Sequence, residues 1–297
     1  MRIGTAEPNS TFMNQGLALK AALEQAGVPG PVEILRSMSA SIENAQRIGA
    51  GDLDYGFMAA NWIGRALRGE KPFAAPIALR MIAPMNLGPM YFIARADSGV
   101  RTVADLRGKR VAVGPATSGT AQHALSIFGA LGFGFDDITP AFLDFPSGGE
   151  ALGRGEIDAQ LQCPIPNPVM TALDAKHDFR VLLYAPGDLE TVMAKNAIYR
   201  RAIMRKGELR ALQEDVAQPG VTNVLVAHER QPTDNVAAVV RAIVAGADEL
   251  GRLNPLFRGI ADLWAPLKTE CAKALEFEGV PLHEGARAGY RAAGLLA

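Results

Sequence analysis

The sequence predicts an α/β protein of two similar lobes, each a mixed sheet flanked by helices. Three observations carry this. The 297 residues make about two domains at roughly 150 residues each. A strand–helix–strand order with short loops runs through the first third and then recurs. The third observation is an echo: Gly155-Glu156-Ile157-Asp158-Ala159 repeats the form of Gly51-Asp52-Leu53-Asp54-Tyr55 at an offset of 104, and Thr11 and Thr120, each at a helix start, lie 109 apart.

The elements follow in order. Ile3-Gly4-Thr5 reads as a strand and its turn, Pro8 to Thr11 as a polar loop, and Phe12 to about Gln25 as a helix with Leu19, Ala22, Leu23 and Ala26 on one face, ended by Gly27. Val32 to Leu35 is a strand, Ser37 to Ser41 a loop, Ile42 to Ile48 a helix closed by Gly49 and Gly51, and Asp54 to Met58 a third strand. In the second lobe Arg110 to Gly114 is a strand, Pro115 to Thr120 a small-residue loop, and the helix from Ala121 carries Leu125, Phe128 and Leu131. Ala141 to Phe145 is a strand, followed by a loop to Gly149 and a short helix. Phe179 to Tyr184 and Val221 to Ala227 are further strands. Thr233 to Leu250 is a long helix with a stripe of Val236, Val239, Val240, Ile243 and Val244, and Asp262 to Glu278 is expected to be helical. A helical tail with too few strands for a third sheet packs back on the first lobe. The expected division is therefore 1–94 with 203–297, and 95–202, joined by a two-segment hinge.

Composition narrows function. With 48% hydrophobic and 21% charged residues and a mean hydropathy of +0.08, no stretch reads as a bilayer span. Thirty Lys and Arg against 31 Asp and Glu supply no basic field for phosphate backbones, so no nucleic-acid partner is expected. Cys163 and Cys271 are too few for a disulfide framework, and His123, His177, His228 and His283 are scattered, so neither a metal nor a cofactor is expected. Met1 and Arg2 lead straight into the first strand, which predicts no leader: the address is cytoplasmic, or a leader was removed.

Along nearly its whole length the chain resembles the TAXI family, solute receptors of tripartite ATP-independent periplasmic transporters. The residues that carry the likeness are Ile3-Gly4-Thr5 with the loop to Thr11; Ser41, Glu43 and Asn44 before Gly51, Asp54, Gly56 and Phe57; and Arg95-Ala96-Asp97-Ser98-Gly99 before Asp105-Leu106 and Gly108-Lys109. Gly114 with Ser118-Gly119-Thr120, Gly155, Ile157 and Asp158, Pro166 and Pro168, and the closing Pro281-Leu282-His283 with Gly285-Ala286 and Tyr290 complete it. The resemblance implies a type II-like periplasmic-binding-protein fold closing on a small anionic solute, commonly an acidic amino acid or another carboxylate. It further implies a periplasmic address, membrane transporter subunits as partners and no catalysis; a monomer is expected. The sequence departs from the family in its first loop, Ala6 to Met13, and around Asn86 and Gly88, so ligand identity does not carry over.

Open α/β sheets bind ligands beyond the carboxyl ends of their strands. Thr117, Ser118, Gly119 and Thr120 sit at such a junction, where small side chains, hydroxyl donors and a helix N-terminus suit a carboxylate or phosphate. The run is no nucleotide P-loop, because Thr120 and Ala121 replace the required Lys and Ser or Thr. Asn9, Ser10, Thr11, Ser39 and Ser41 stand at equivalent places in the first lobe, and Asn61 follows the third strand. For each, a plain helix cap or solvated loop is the ordinary alternative. Arg36 and Arg80 are candidate counter-charges, Glu7 a partner for a ligand ammonium, and Asn167 a contact in the stiff Cys163–Pro168 segment. Cys163 with His123 as its base would support the competing hypothesis, an enzyme such as a decarboxylase or deaminase of a small acid; a buried thiol and a structural His283 are the simpler expectations.

Overall fold

In the computed structural model, which describes residues 1–8, 10–116, 118–162, 165 and 167–297, the chain divides into two units: 1–87 with 222–297, and 88–221. The first unit opens with β1 (Arg2–Gly4), α1 (Thr11–Gln25), β2 (Glu33–Leu35), α2 (Ser41–Ala50), β3 (Tyr55–Ala59), α3 (Ala60–Arg68) and β4 (Leu79–Pro89). The second holds β5 (Tyr91–Arg95), β6 (Arg110–Ala112), α4 (Gly119–Ala130), β7 (Thr139–Ala141), α5 (Phe145–Gly153), β8 (Ala159–Gln162), α6 (Pro168–Lys176), β9 (Phe179–Val181), α7 (Asp188–Lys195) and β10 (Tyr199–Met204). Strand β11 (Val216–His228) returns the chain to the first unit, which ends with α8 (Thr233–Ala245), α9 (Ala247–Leu253), α10 (Leu267–Glu270) and α11 (Glu284–Ala292).

Each unit carries a mixed sheet of the same plan. In the first, β2, β1 and β3 are parallel and β11 runs antiparallel beside β3, with β4 on its other side. In the second, β7, β6 and β8 are parallel and β5 runs antiparallel beside β8, with β9 beyond. The sequence echo has a physical basis. Arg2 N donates to Asp54 Oδ2 at 2.7 Å and Arg110 N to Asp158 Oδ2 at 2.8 Å, so each aspartate fastens the start of the first parallel strand to the start of the third.

A second correspondence is reciprocal. In the first unit the space between α2 and the sheet is filled from the helix: Asn44, fully buried, donates to Thr5 O (2.8 Å) and Phe57 O (2.9 Å) and accepts from Ser37 Oγ (2.6 Å). Gly56 lies opposite, where an added Cβ would stand 3.1 Å from Asn44 Cβ. In the second unit the amide comes from the strand. Gln160 donates to Phe145 O at 3.0 Å, and the facing helix position is Gly148, whose Cβ would meet Gln160 Nε2 at 2.5 Å. Both pairs, Asn44 with Gly148 and Gly56 with Gln160, are 104 residues apart. In each unit a buried amide satisfies backbone carbonyls where sheet and helix meet, at the end of β1 and near the end of β3 in the first and at the start of α5 in the second.

Several boundaries differ from the sequence reading. Residues 88–94 and 203–221 belong with the second unit, because β5 pairs with β8 and β9 and because β10 pairs with Val216–Val221 of β11. The chain passes between units along two long strands, β4 and β11, which Gly88 and Pro89 at the end of β4 and Pro219 and Gly220 within β11 mask as loops. The expected helix from Thr233 to Leu250 breaks at Gly246, and its Val236, Val239, Val240 and Ile243 are buried. Asp262–Glu278 is not one helix. It forms short turns interrupted by Pro266 and by Cys271, which has a φ of 55°. The closing Pro281-Leu282-His283 segment extends the first sheet, with Met81 N donating to Pro281 O and His283 N to Met81 O, both at 2.9 Å. His283 Nδ1 then accepts from Gly285 N at 3.0 Å and caps α11, the structural role expected of it.

The first unit's core gathers Ile3, Leu19, Leu23, Phe57, Ile63, Met81, Leu225, Val240, Trp264 and Tyr290; the second has its own core around Tyr91, Ile93, Leu152, Met170, Leu173 and Phe179. Among the described residues, no helix is long and apolar enough to cross a membrane.

Candidate functional site

The parallel strands of each unit end on a row of loops that lead into helices, and the candidate residues fall on these two edges. In the first unit the strands end at Gly4, Leu35 and Ala59. Ser10 caps α1, its Oγ accepting from Met13 N at 3.2 Å, and Thr11 is the first helical residue. In the second unit Ser118 caps α4 in the same way, accepting from Ala121 N at 3.2 Å, with Gly119 and Thr120 next. A hydroxyl that accepts one bond still has its proton to donate, and a helix start adds free N–H groups and a partial positive charge, so both caps are equipped for an anion. Gly114 makes the second loop possible. Its φ is 88°, and a Cβ there would stand 2.7 Å from Thr120 Cβ and 2.9 Å from Ser118 Oγ. Asn9, Thr117 and Cys163 lie outside the described residues.

The other candidates divide. Arg36 reaches the first edge and pairs with Glu7 at 3.0 Å, tying the loop after β1 to the loop after β2. Ser39 donates its N–H to Glu43 Oε2 at 3.3 Å. Ser41 is buried, and its Oγ accepts from Ala59 N at 3.0 Å, a bond that holds α2 to the end of β3. Asn61 is the second residue of α3, and its Oδ1 is buried without a partner among the described residues. Asn167 caps α6, its Oδ1 accepting from Met170 N at 2.7 Å.

Arg80 is not with them. Glu229 N donates to Ala78 O (2.9 Å) at one end of β4 and Met90 N to Pro219 O (2.8 Å) near the other, so β4 runs antiparallel to β11. Since Ala227 is opposite Tyr55, residues 78–80 sit at the amino ends of the parallel strands. Arg80 pairs there with Glu229. An isolated sequence does not reveal strand direction, which is why Arg80 reads as a ligand contact.

Two polar groups escape the sequence reading, and His123, read as a candidate base, is placed in the second unit. Asn86 Oδ1 accepts from Gln15 Nε2 (2.8 Å) and from Asn223 Nδ2 (3.0 Å), a buried amide cluster against α1. Gln162, the last residue of β8, is fully buried and donates to Gln160 Oε1 at 3.0 Å. The Oε1 atoms of both Gln15 and Gln162 are buried without a partner among the described residues. His123, in α4, bonds Tyr199 Oη through Nδ1 at 2.9 Å, and burial lowers its pKa to about 4. The available signal was polar residues inside apolar strand runs: Asn86, Asn223, and the alternation Ala159-Gln160-Leu161-Gln162.

Against known families, the model of the NMT1-like family matches residues 3–294. The chain belongs to the NMT1-like family. Solved structures similar to this NMT1-like chain include the periplasmic aliphatic sulphonate binding protein SsuA of Escherichia coli, at 17% identity and a TM-score of 0.53, covering 93% of this chain and 84% of that one. A TctC solute binding protein from Polaromonas aligns with a TM-score of 0.54 at 15% identity, over 88% of this chain and 86% of its own. The protein Tv2483 bound to L-arginine gives 0.51 at 13% identity, over 87% and 89%. At these identities the likeness establishes the fold: the two-lobe α/β fold of periplasmic binding proteins, with two mixed sheets flanked by helices.

Proposed function

We propose that this NMT1-like chain is a solute receptor that takes up a small anionic solute, a carboxylate or amino acid, on the serine-capped edges of its two units and delivers it to membrane transporter subunits. The observation that carries the reading is the repetition of one anion-seating device: the first helix after the first parallel strand starts at a serine cap of the same geometry in both units, Ser10 on α1 and Ser118 on α4. The TAXI-type likeness, a periplasmic address, the absence of catalysis and the closing motion expected from two chain crossings belong to the same proposal. Periplasmic binding by the E. coli sulphonate protein and solute binding by the Polaromonas protein support it. A ligand that favours the closed form would shift the population toward it in proportion to its differential affinity.

The test is mass spectrometry of whatever small molecule copurifies with the chain, followed by a melting-temperature screen of amino acids, carboxylates and other small anions. The bound molecule is expected to be an anion whose affinity falls in the Ser118→Ala, Thr120→Ala double variant while the fold persists. Unchanged affinity removes the α4 start from the site. An empty screen with no copurifying solute refutes the receptor.

A further inference from the structure

We infer that the second unit carries a separate binding site for a small carboxylate with a compact apolar body, seated by Arg101 and Arg180. The site is a cavity of about 320 Å³ beside β9, the edge strand of the second sheet, and every residue that lines it belongs to that unit. Its size falls at the lower end of the roughly 300–1,000 Å³ usual for small-molecule sites. Val181, Leu183, Leu212 and Val216 supply an apolar wall. Three of them are core residues, whereas Leu183 is 42% exposed, an apolar side chain left partly in water at the cavity. Hydrogen bonds hold this wall in place: Leu183 N donates to Arg101 O at 3.0 Å, Val103 N to Leu183 O at 2.9 Å, and Gln218 Nε2 to Leu182 O at 3.0 Å. Gly207 N donates to Leu212 O at 3.0 Å, which closes the turn between β10 and β11.

Charge identifies the head group. Arg180 Nη2 donates to Ala96 O at 2.7 Å, which fixes the guanidinium and leaves its other N–H groups to a ligand. Arg101 is exposed, and neither guanidinium is paired with a carboxylate among the described residues. Other arginines of this region differ: Arg201 pairs with Glu190, Arg205 with Asp215 at 2.7 Å and Arg210 with Asp178 at 2.9 Å. Two cations left over at one cavity, against the single carboxylate of Glu214, give its lining a net positive charge. A guanidinium meets a carboxylate through paired N–H bonds, and the apolar wall suits a hydrocarbon body better than a second charge. The place is distinct from the serine-capped start of α4. That helix follows β6, which lies three strands from β9 in the order β6-β8-β5-β9, about 14 Å across the sheet at the usual strand spacing.

The experiment is an NMR titration of the whole chain, methyl-labelled, with three probes: benzoate, its neutral isostere benzamide, and acetate, which has the head without the body. The methyl signals of Val181, Leu183, Leu212 and Val216 are expected to move saturably with benzoate, at a Kd at least about tenfold below those of benzamide and acetate. Arg101→Gln should raise that Kd about tenfold, and because the position is exposed the melting temperature without probe should match that of the parent. Glu214→Gln should lower it about twofold by removing the opposing charge. The Ser118→Ala, Thr120→Ala double variant should leave it unchanged. Methyl signals that stay still up to about 20 mM benzoate overturn the inference. So does equal binding of benzamide or acetate, a Kd indifferent to Arg101→Gln, or one that rises in the Ser118, Thr120 double variant. None of these results touches the receptor reading, which is decided by the solute that copurifies and by the wider screen.

Discussion

Exchanging the amide arrangement of one unit for that of the other tests whether the two are built on one plan. In Asn44→Gly the chain loses the bonds to Thr5 O, Phe57 O and Ser37 Oγ. At roughly 1 kcal/mol for each of the three, plus about 1 kcal/mol for glycine inside a helix, the cost is about 4 kcal/mol. Gly56→Gln alone forces a side chain against Asn44 Cβ and Ile48 Cδ1, whose distances from a Cβ there are 3.1 Å and 3.0 Å. Overpacking of that kind costs about 1–3 kcal/mol. Together the two changes reproduce what Gly148 and Gln160 already do, an amide reaching from strand to helix across a glycine. The double variant is therefore expected to lose at least about 2 kcal/mol less than the sum of the singles, a coupling of the size seen between touching residues. Urea unfolding of the four proteins, followed by circular dichroism, measures it. Additive losses would refute the idea that position 56 accepts the amide that position 44 gives up.

Further expectations concern single sites. Gly114→Ala strains a backbone at positive φ and crowds Ser118 and Thr120, so stability should fall by about 1–3 kcal/mol and affinity for the copurifying solute should fall with it; an unaffected Kd argues against the α4 start as a seat. His123, lowered by burial to about 4 in the folded chain against 6.5 when exposed, binds its proton first in the unfolded state as pH drops. Stability should thus decline from pH 6.5 to about 4, by up to about 3 kcal/mol for this group, and level off below; His123→Gln should lack that slope in melts at pH 7.5 and 4.5. Arg80→Ala removes a surface pair with Glu229 at the opposite edge, so calorimetry should find solute affinity unchanged and melting lowered by only a degree or two, in keeping with about 0–1 kcal/mol.

How far the sequence could be read depended on whether the deciding contact was local. Ser10 and Ser118 were legible because a cap is settled within three residues of chain, and the echo around Asp54 and Asp158 was legible because the same strand-start bond recurs on the same residue types. The stripe on α8 showed for the same reason, as helical periodicity is local. Arg80 was misplaced because the direction of β4 is set by partners almost 150 residues away, Glu229 among them. The crossing strands were unrecognised because Pro89 and Pro219 look like loop residues; Pro89 ends β4 and Pro219 lies within β11, opposite Arg201 of β10. Asn86 and Asn223 look out of place in apolar runs, and only the fold brings them to Gln15.

The two halves agree in position more than in identity. Where a bond joins one backbone group to one side chain, as at the caps and at the two strand-start aspartates, residue type is kept. Where what matters is filling a space, the side chain moves from helix to strand, as Asn44 gives way to Gln160. Met38 and Phe142 follow the second rule: the position is apolar in both halves while the shape differs. Position is thus kept where packing decides, and residue type where a directed bond decides.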